Sequence, residues 1–272
     1  ARVGLWRMDL GLRHRACVIT GASSGIGAAT AAALAAEGAS VLLVGRRTSP
    51  LQEIAEGCRQ AGGRAEALVL DVTDNGAGER LLSACLQSFD RIDALVNNAG
   101  TSAVRGLQEL TDADWEQQWQ LNVMAPMRMM RAAAPVMAER GWGRIVNVSS
   151  SSGKRPSQTN IAYSVTKAAQ LSLSRAYADA FGPRGVLINA VAPGPIASEL
   201  WLSPGGMADQ TARAKGITRE EALEATAGRT PLERLGTEQE VAAVITFLCS
   251  DAASNVLGAA WSVDGGSVPL IL

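Results

Sequence analysis

Histidine is nearly missing from this chain: among 272 residues only His14 is one, and it lies close to the N-terminus. Ser-His-Asp hydrolysis and histidine-ligated zinc both need an interior imidazole, so neither is expected, and no metal site is expected either. Lysine is almost as scarce, since Lys154, Lys167 and Lys215 are the whole set and every other cation is an arginine. The four cysteines, Cys17, Cys58, Cys85 and Cys249, are scattered and form no Cys-x-x-Cys pair. That spacing argues against a disulfide framework or a thiolate metal site and fits free thiols in a reducing cytoplasm. Net charge is almost absent too, at −1, because 25 Lys+Arg meet 26 Asp+Glu. A chain so balanced has no field for a nucleic-acid backbone or an anionic membrane, and neither is expected as a partner. Long apolar runs are lacking: the closest, residues 28–45, is broken by Thr30, Glu37 and Ser40. No membrane span or secretory signal is therefore expected. Residues 1–7 precede Met8 and are expected to be either a leader or a non-native remnant, leaving one domain over 8–272.

What is present is an alternation of two patterns. Short apolar runs at 16–20, 40–44, 65–70, 94–96, 144–148, 186–190 and 260–263 read as strands buried on both faces of a parallel sheet. Helical patterns fill the gaps at 25–37, 50–61, 76–88, 112–140, 159–181 and 237–249. The sequence thus predicts an α/β fold, a doubly wound (Rossmann-type) seven-stranded parallel sheet with helices on both faces. One irregular stretch, 196–235, carries Pro204, Gly205, Gly206 and Pro231 around a helical piece, and it is the candidate substrate lid.

Three local constellations carry chemistry. The first strand runs into Thr20-Gly21-Ala22-Ser23-Ser24-Gly25-Ile26-Gly27 and then an alanine-rich helix. Glycines permit a tight turn and close backbone approach, and a helix N-terminus favours a pyrophosphate, although such a turn also serves plain helix–sheet packing. Tyr163 and Lys167 stand at i and i+4, on one helix face. A neighbouring ammonium favours the phenolate and is expected to lower the tyrosine pKa from about 10 toward working pH, which makes a useful general acid/base. An ordinary Tyr–Lys pair on a solvated helix has the same spacing. Ser150 lies within the serine run 149–152 just past the strand at 144–148; such a run also suits a solvated turn, but a hydroxyl there is well placed to hydrogen-bond a substrate carbonyl. Trp115, Trp119, Met124, Met127, Met129 and Met130 along the 112–140 helix read as core or subunit interface, and Trp201, Leu202 and Met207 read equally as packing or substrate contact.

Taken in order, the glycine turn, Asn97-Asn98-Ala99-Gly100, Asn122, Ser150, Tyr163-x-x-x-Lys167 and Pro193-Gly194 resemble the short-chain dehydrogenase/reductase family, over about residues 16–266. The stretches 231–236 and 258–266 look like its 3-oxoacyl-thioester reductase branch. The resemblance implies a catalytic set of Asn122, Ser150, Tyr163 and Lys167. Tyr163 would give or take the proton, Lys167 would lower its pKa and hold the nicotinamide ribose, Ser150 would orient the carbonyl and Asn122 would support a water relay. It also implies that Gly21, Ser23, Ser24, Ile26 and Gly27 wrap the phosphates, with Asp71 and Val72 at the adenine. Asn97, Ala99 and Gly100 would line the ribose side, with Pro193, Gly194, Ile196 and Ser198 at the nicotinamide.

Cofactor choice follows from the second strand. NAD-preferring members of the family usually hold an aspartate where this chain has Gly45, and Arg46 and Arg47 follow. Arginine forks match a 2′-phosphate, so NADP is expected, with NAD as the alternative. The implied reaction is reduction of a small-molecule ketone to a secondary alcohol. An NAD-dependent alcohol, polyol or steroid dehydrogenase is the alternative, and a cofactor-binding sensor without turnover is a more remote one. A cytoplasmic homotetramer, with the apolar C-terminus docked on a neighbouring subunit, completes what the resemblance implies.

Overall fold

The computed structural model describes residues 9–269; the leader or remnant expected at 1–7 and the last three residues of the apolar C-terminus lie outside them. The chain runs β1 (Ala16–Thr20), α1 (Gly25–Ala36), β2 (Ser40–Gly45), α2 (Thr48–Gln60), β3 (Arg64–Val69), α3 (Ala77–Phe89) and β4 (Ala94–Asn97). It continues through α4 (Asp112–Trp119), α5 (Ala125–Glu139), β5 (Gly143–Val148), α6 (Ser151–Lys154), α7 (Ile161–Phe181) and β6 (Val186–Pro193). The last elements are α8 (Glu199–Leu202), α9 (Met207–Lys215), α10 (Arg219–Ala227), α11 (Glu238–Leu248) and β7 (Ala260–Val263). All seven strands are parallel, in the order β3-β2-β1-β4-β5-β6-β7. The order reverses between β1 and β4, and a crevice opens there beyond the carboxyl ends of the strands.

Consecutive strand residues enter opposite cores. Ile19, Val41 and Leu43 pack with Leu34, Ile245 and Leu248 on one face. Val18, Leu42 and Leu95 pack with Leu81, Met129, Met130 and Met137 on the other. Each such side chain contributes roughly 1.5–3 kcal/mol by burial, so the inner strands are apolar without alternation. The outer strands depart from the expected double burial. In β3 only Ala65 is fully buried, and β7 leaves Trp261 and Ser262 exposed. Both lie at sheet edges, where neighbours cover one side at most.

The helix expected over 112–140 is also divided. Between α4 and α5 the residues Gln120–Met124 form a π turn. Pro126 lies in the first turn of α5 and has no N–H to continue the α-helical ladder, so the chain widens there and the Ala125 N–H reaches back to the Gln120 carbonyl. Met129 and Met130 are core, whereas Trp119 is largely exposed. Among the described residues no helix is long and apolar enough to cross a membrane.

Candidate active site

β1 delivers Thr20 to the crevice, and the chain reverses through Gly21 at φ +67°, a left-handed conformation that glycine adopts without strain. At Gly27 a Cβ would lie 2.3 Å from the Gly21 carbonyl oxygen and 2.5 Å from Asn98 Nδ2, so only glycine lets α1 close against the turn. The end of β4 clamps the same turn. Asn98 Nδ2 donates to the carbonyls of Thr20 (3.0 Å) and Gly21 (3.2 Å), while Thr20 Oγ1 accepts the N–H groups of Asn98 (3.0 Å) and Ala99 (3.1 Å). Ser24 is the N-cap of α1, yet its hydroxyl does not accept from the helix. The first-turn N–H groups therefore have no side-chain partner and can receive a phosphate.

Across the crevice, β5 leads to Ser150, the N-cap of α6, whose hydroxyl accepts the Ser152 N–H at 3.1 Å. Tyr163 and Lys167 occupy the first turns of α7. Lys167 is buried; its Nζ donates to the Val148 carbonyl (2.8 Å) and to Gln170 Oε1 (3.1 Å), and burial lowers its pKa to about 7. Here the structure corrects one expectation. Lys167 Nζ lies 5.6 Å from the centre of the Tyr163 ring, tethered to Val148 and Gln170, and makes no hydrogen bond to the phenol. Burial raises the Tyr163 pKa, and the Ser150 hydroxyl beside it only opposes this.

Asn122 is fully buried in the π turn. Its Nδ2 donates to Gln118 Oε1 (2.7 Å) and to Thr166 Oγ1 (3.1 Å), which leaves Oδ1 without a partner. A Cβ on Gly100 would sit 3.6 Å from that oxygen and 3.7 Å from Lys167 Nζ, so the unpartnered acceptor and the ammonium open onto the same space.

Most of the expected residues meet in one cleft of about 260 Å³. Gly21, Ser24, Ile26, Gly100, Ser150, Tyr163, Lys167, Pro193, Gly194, Ile196 and Ser198 all line it. Leu200, Trp201 and Met207 from the 196–235 stretch also line it, whereas Leu202 does not and is exposed. Gly27, Val72, Asn97 and Ala99 do not line it. Asn97 is buried with its amide committed to Asn147 Oδ1 (2.8 Å), and Val72 belongs to the core. Ser23, Arg46, Arg47 and Asp71 do not line the cleft either; they follow the carboxyl ends of β1, β2 and β3. Asp71 accepts from the Thr73 N–H (2.9 Å) and hydroxyl (2.7 Å), and Arg46 lies 3.7 Å from it, largely exposed. Arg47 lies across the turn, donating to Ser24 Oγ (2.8 Å), Ser23 Oγ (3.3 Å) and Glu199 (2.9 Å). The guanidinium holds the Glu199 carboxyl down at about 2.

Sequence reasoning missed several residues here. Asn98 stood inside a quoted motif, one place from residues that were chosen. Ser102 and Asn160, hydrogen-bonded at 3.2 Å, also line the cleft. Gln118 and Gln170 sit one turn from Asn122 and Lys167, a spacing that could have flagged them. Glu199 is 152 positions from Arg47, and no local signal links them.

A parallel sheet with a phosphate-ready glycine turn facing a Ser–Tyr–Lys cluster defines a dinucleotide-dependent oxidoreductase. Comparison with known proteins makes that specific. A family model described as enoyl-(acyl carrier protein) reductase matches residues 21–267. The 3-oxoacyl-(acyl-carrier-protein) reductase of Thermotoga maritima is 35% identical over 94% of this chain and 99% of its own. Galactitol 2-dehydrogenase of Agrobacterium fabrum is 32% identical over 94% and 98%. Among solved structures, L-sorbose reductase from Gluconobacter frateurii, complexed with NADPH and L-sorbose, superposes with a TM-score of 0.90 at 33% identity, covering 97% of this chain and 100% of that one. The chain belongs to the short-chain dehydrogenase/reductase family, in the branch that resembles 3-oxoacyl-(acyl-carrier-protein) reductases. It is an oxidoreductase acting on CH–OH/C=O groups with a nicotinamide dinucleotide.

Proposed function

We propose that this enzyme uses NADPH to reduce a small ketone, such as a 3-oxoacyl thioester, to a secondary alcohol. The observation that carries the reading is the meeting of Ser150, Tyr163 and Lys167 with the glycine turn in one cleft. A nicotinamide dinucleotide, when bound, supplies the hydride. The residues present fit it. The space that a Cβ on Gly27 would need is filled by backbone, the α1 amides are free, and Asn122 Oδ1 lacks a partner beside Lys167.

Ser150 donates to the substrate oxygen and orients it. Tyr163 delivers the proton from its hydroxyl, and burial suits that direction because it keeps the phenol protonated at neutral pH. Lys167 offers its remaining N–H toward the space at Gly100 and holds a ribose hydroxyl there. Asn122 accepts from a water there and so feeds the proton back. Gly21, Ser23, Ser24, Ile26 and Gly27 hold the phosphates, Asp71 and Val72 the adenine side, and Asn97, Ala99 and Gly100 the ribose side. Pro193, Gly194, Ile196 and Ser198 hold the nicotinamide. Arg46 and Arg47 receive the 2′-phosphate, and Gly45 presents no carboxylate to repel it.

Tyr163→Phe removes one hydroxyl, so melting and cofactor affinity should hold while turnover drops by about 10²–10⁴. Retention of more than a tenth of wild-type turnover refutes the assignment.

A polyol or other alcohol dehydrogenase running oxidatively is the second reading. It is favoured by the polar pair Ser102–Asn160 in the cleft. Turnover of any ketone or alcohol in a panel excludes a sensor without activity. We further propose that residues 196–235 act as a lid within a single domain, and that the enzyme works in the cytoplasm as a homotetramer. The exposed apolar residues Trp119 and Val165 on α4 and α7, and Leu257 and Trp261 by the β7 edge, support assembly.

A further inference from the structure

Building on the reading of Arg46 and Arg47 as the 2′-phosphate site, we propose that Glu199 is a specificity-determining residue that competes with that phosphate for Arg47. The two arginines after β2 are in different situations. The Arg46 side chain is 78% exposed, and among the described residues its one ionic neighbour is Asp71 at 3.7 Å. The Arg47 fork is already engaged: Nη1 donates to Glu199 Oε1 and Nη2 to Glu199 Oε2, both at 2.9 Å. The same guanidinium donates from Nε and Nη2 to Ser23 Oγ (3.3 Å each) and from Nη2 to the Ser23 carbonyl (3.3 Å) and Ser24 Oγ (2.8 Å).

A carboxylate gripped by both ends of a guanidinium uses the edge on which a phosphate would be gripped. A phosphate reaching Arg47 must therefore displace Glu199 or share it at a poorer angle. The charge nearby adds to the competition. Glu238 faces Gly25 of the turn, and burial, with the Glu199 charge as the lesser cause, pushes its carboxyl up. Displacing Glu199 also has a mechanical consequence. Glu199 opens α8, inside the 196–235 stretch, so the ion pair ties that stretch to the glycine turn. Binding of the 2′-phosphate would cut this tie, whereas a cofactor without that phosphate would leave it in place. Glu199 thus lowers NADPH affinity selectively and restrains the lid until the phosphorylated cofactor arrives.

Both partners are about half exposed, so the competition is modest, of the size measured for exposed ion pairs. The test is a double-mutant cycle on the intact chain, with dissociation constants for NADPH and NADH read by fluorescence titration in wild type, Glu199→Gln, Arg47→Met and the double variant. Glu199→Gln should bind NADPH roughly two- to fivefold more tightly and leave NADH unchanged. In the Arg47→Met background the same substitution should no longer alter the NADPH/NADH ratio. An unchanged ratio in Glu199→Gln, weaker NADPH binding, or an equal gain without Arg47 overturns the proposal. Glu199→Ala repeats the measurement should the glutamine form a new hydrogen bond to Arg47. Equal affinity of the wild type for NADPH and NADH would instead overturn the NADP reading itself, a result separable from an NADPH-preferring wild type whose ratio ignores Glu199.

Discussion

Lys167→Met should abolish most turnover and change stability in a pH-dependent way, with the variant faring best against wild type at or below neutral pH and losing ground as pH rises. The side chain is buried, and burial takes its pKa from 10.5 down to about 7. A base with a depressed folded pKa destabilises most when both states are protonated, below about pH 7. Between pH 7 and 10.5 the unfolded chain holds the proton that the folded chain has lost, so wild-type stability rises with pH across that window. At 1.36 kcal/mol per pKa unit the full effect is about 5 kcal/mol, an upper bound. Methionine fills a similar volume, but it leaves the Val148 carbonyl and Gln170 Oε1 without their donor, which costs about 1–3 kcal/mol each where no water replaces it. Set against a penalty of at most about 5 kcal/mol, the two lost donors together cost about 2–6, so the net change near pH 7 lies between a loss of about 1 and a gain of about 3 kcal/mol and moves steadily toward loss as pH rises to 10. Urea unfolding of both proteins, followed by circular dichroism at intervals from pH 6 to 10, measures the difference while other titrating groups cancel. A difference that stays flat with pH would mean that the buried ammonium is not the source.

Asp93 is 2% exposed and accepts the Ala16 N–H at 2.7 Å and the Arg91 fork at 2.6 Å twice, so Asp93→Ala should lose about 3 kcal/mol and roughly 6–12 °C of melting temperature. A loss below about 1 kcal/mol in chemical denaturation would show that the carboxylate is dispensable. Gly45→Asp with Arg46→Ile should lower the NADPH/NADH ratio of kcat/KM by about 10–10²-fold. The new Cβ has ordinary space, since Leu51 Cδ2 and Ser23 Oγ would lie 3.5 and 3.6 Å away. Wild-type kcat/KM with NADH at or above that with NADPH would defeat this reading. Amide hydrogen exchange over residues 196–235 should slow when cofactor and substrate bind together; equal protection with and without them would argue against a closing lid.

The inner sheet was legible because double burial leaves a plain mark: Val18-Ile19 and Leu42-Leu43 are adjacent apolar residues whose side chains enter opposite cores. The edge strand β3 was misread for the opposite reason. Its Arg64-Ala65-Glu66-Ala67 run is a half-polar pattern that belongs at an edge. The π turn was hidden because apolar residues continue at helical spacing through it. Only Pro126 marked the place where the α-helical ladder must break, and proline in a first turn normally signals a start. Asn122 was identified as functional, but its enclosure in that turn, with both amide protons spent on Gln118 and Thr166, depends on α4 and α7 together.

The Tyr163–Lys167 pair shows where local reading stops. Spacing of i and i+4 puts two Cβ atoms on one face, yet it does not say where a four-carbon stem ends. That end is set by the strand beneath. Lys167 Nζ donates to the Val148 carbonyl, and Ser149 Oγ donates back to the Lys167 carbonyl at 2.9 Å. A Cβ on Gly153 would stand 2.9 Å from the Lys167 carbonyl carbon and oxygen, so α6 presses directly on α7. These contacts lace the end of β5 to α7 and hold Ser150 and Tyr163 at a separation that owes nothing to the 196–235 stretch. The proposed acid chemistry would therefore rest on strand and helix ends, whereas Leu200, Trp201 and Met207, which line the cleft, rest on the stretch tied down by Arg47 and Glu199. Substitutions in that stretch should alter which substrates enter long before they alter how a bound carbonyl receives its proton.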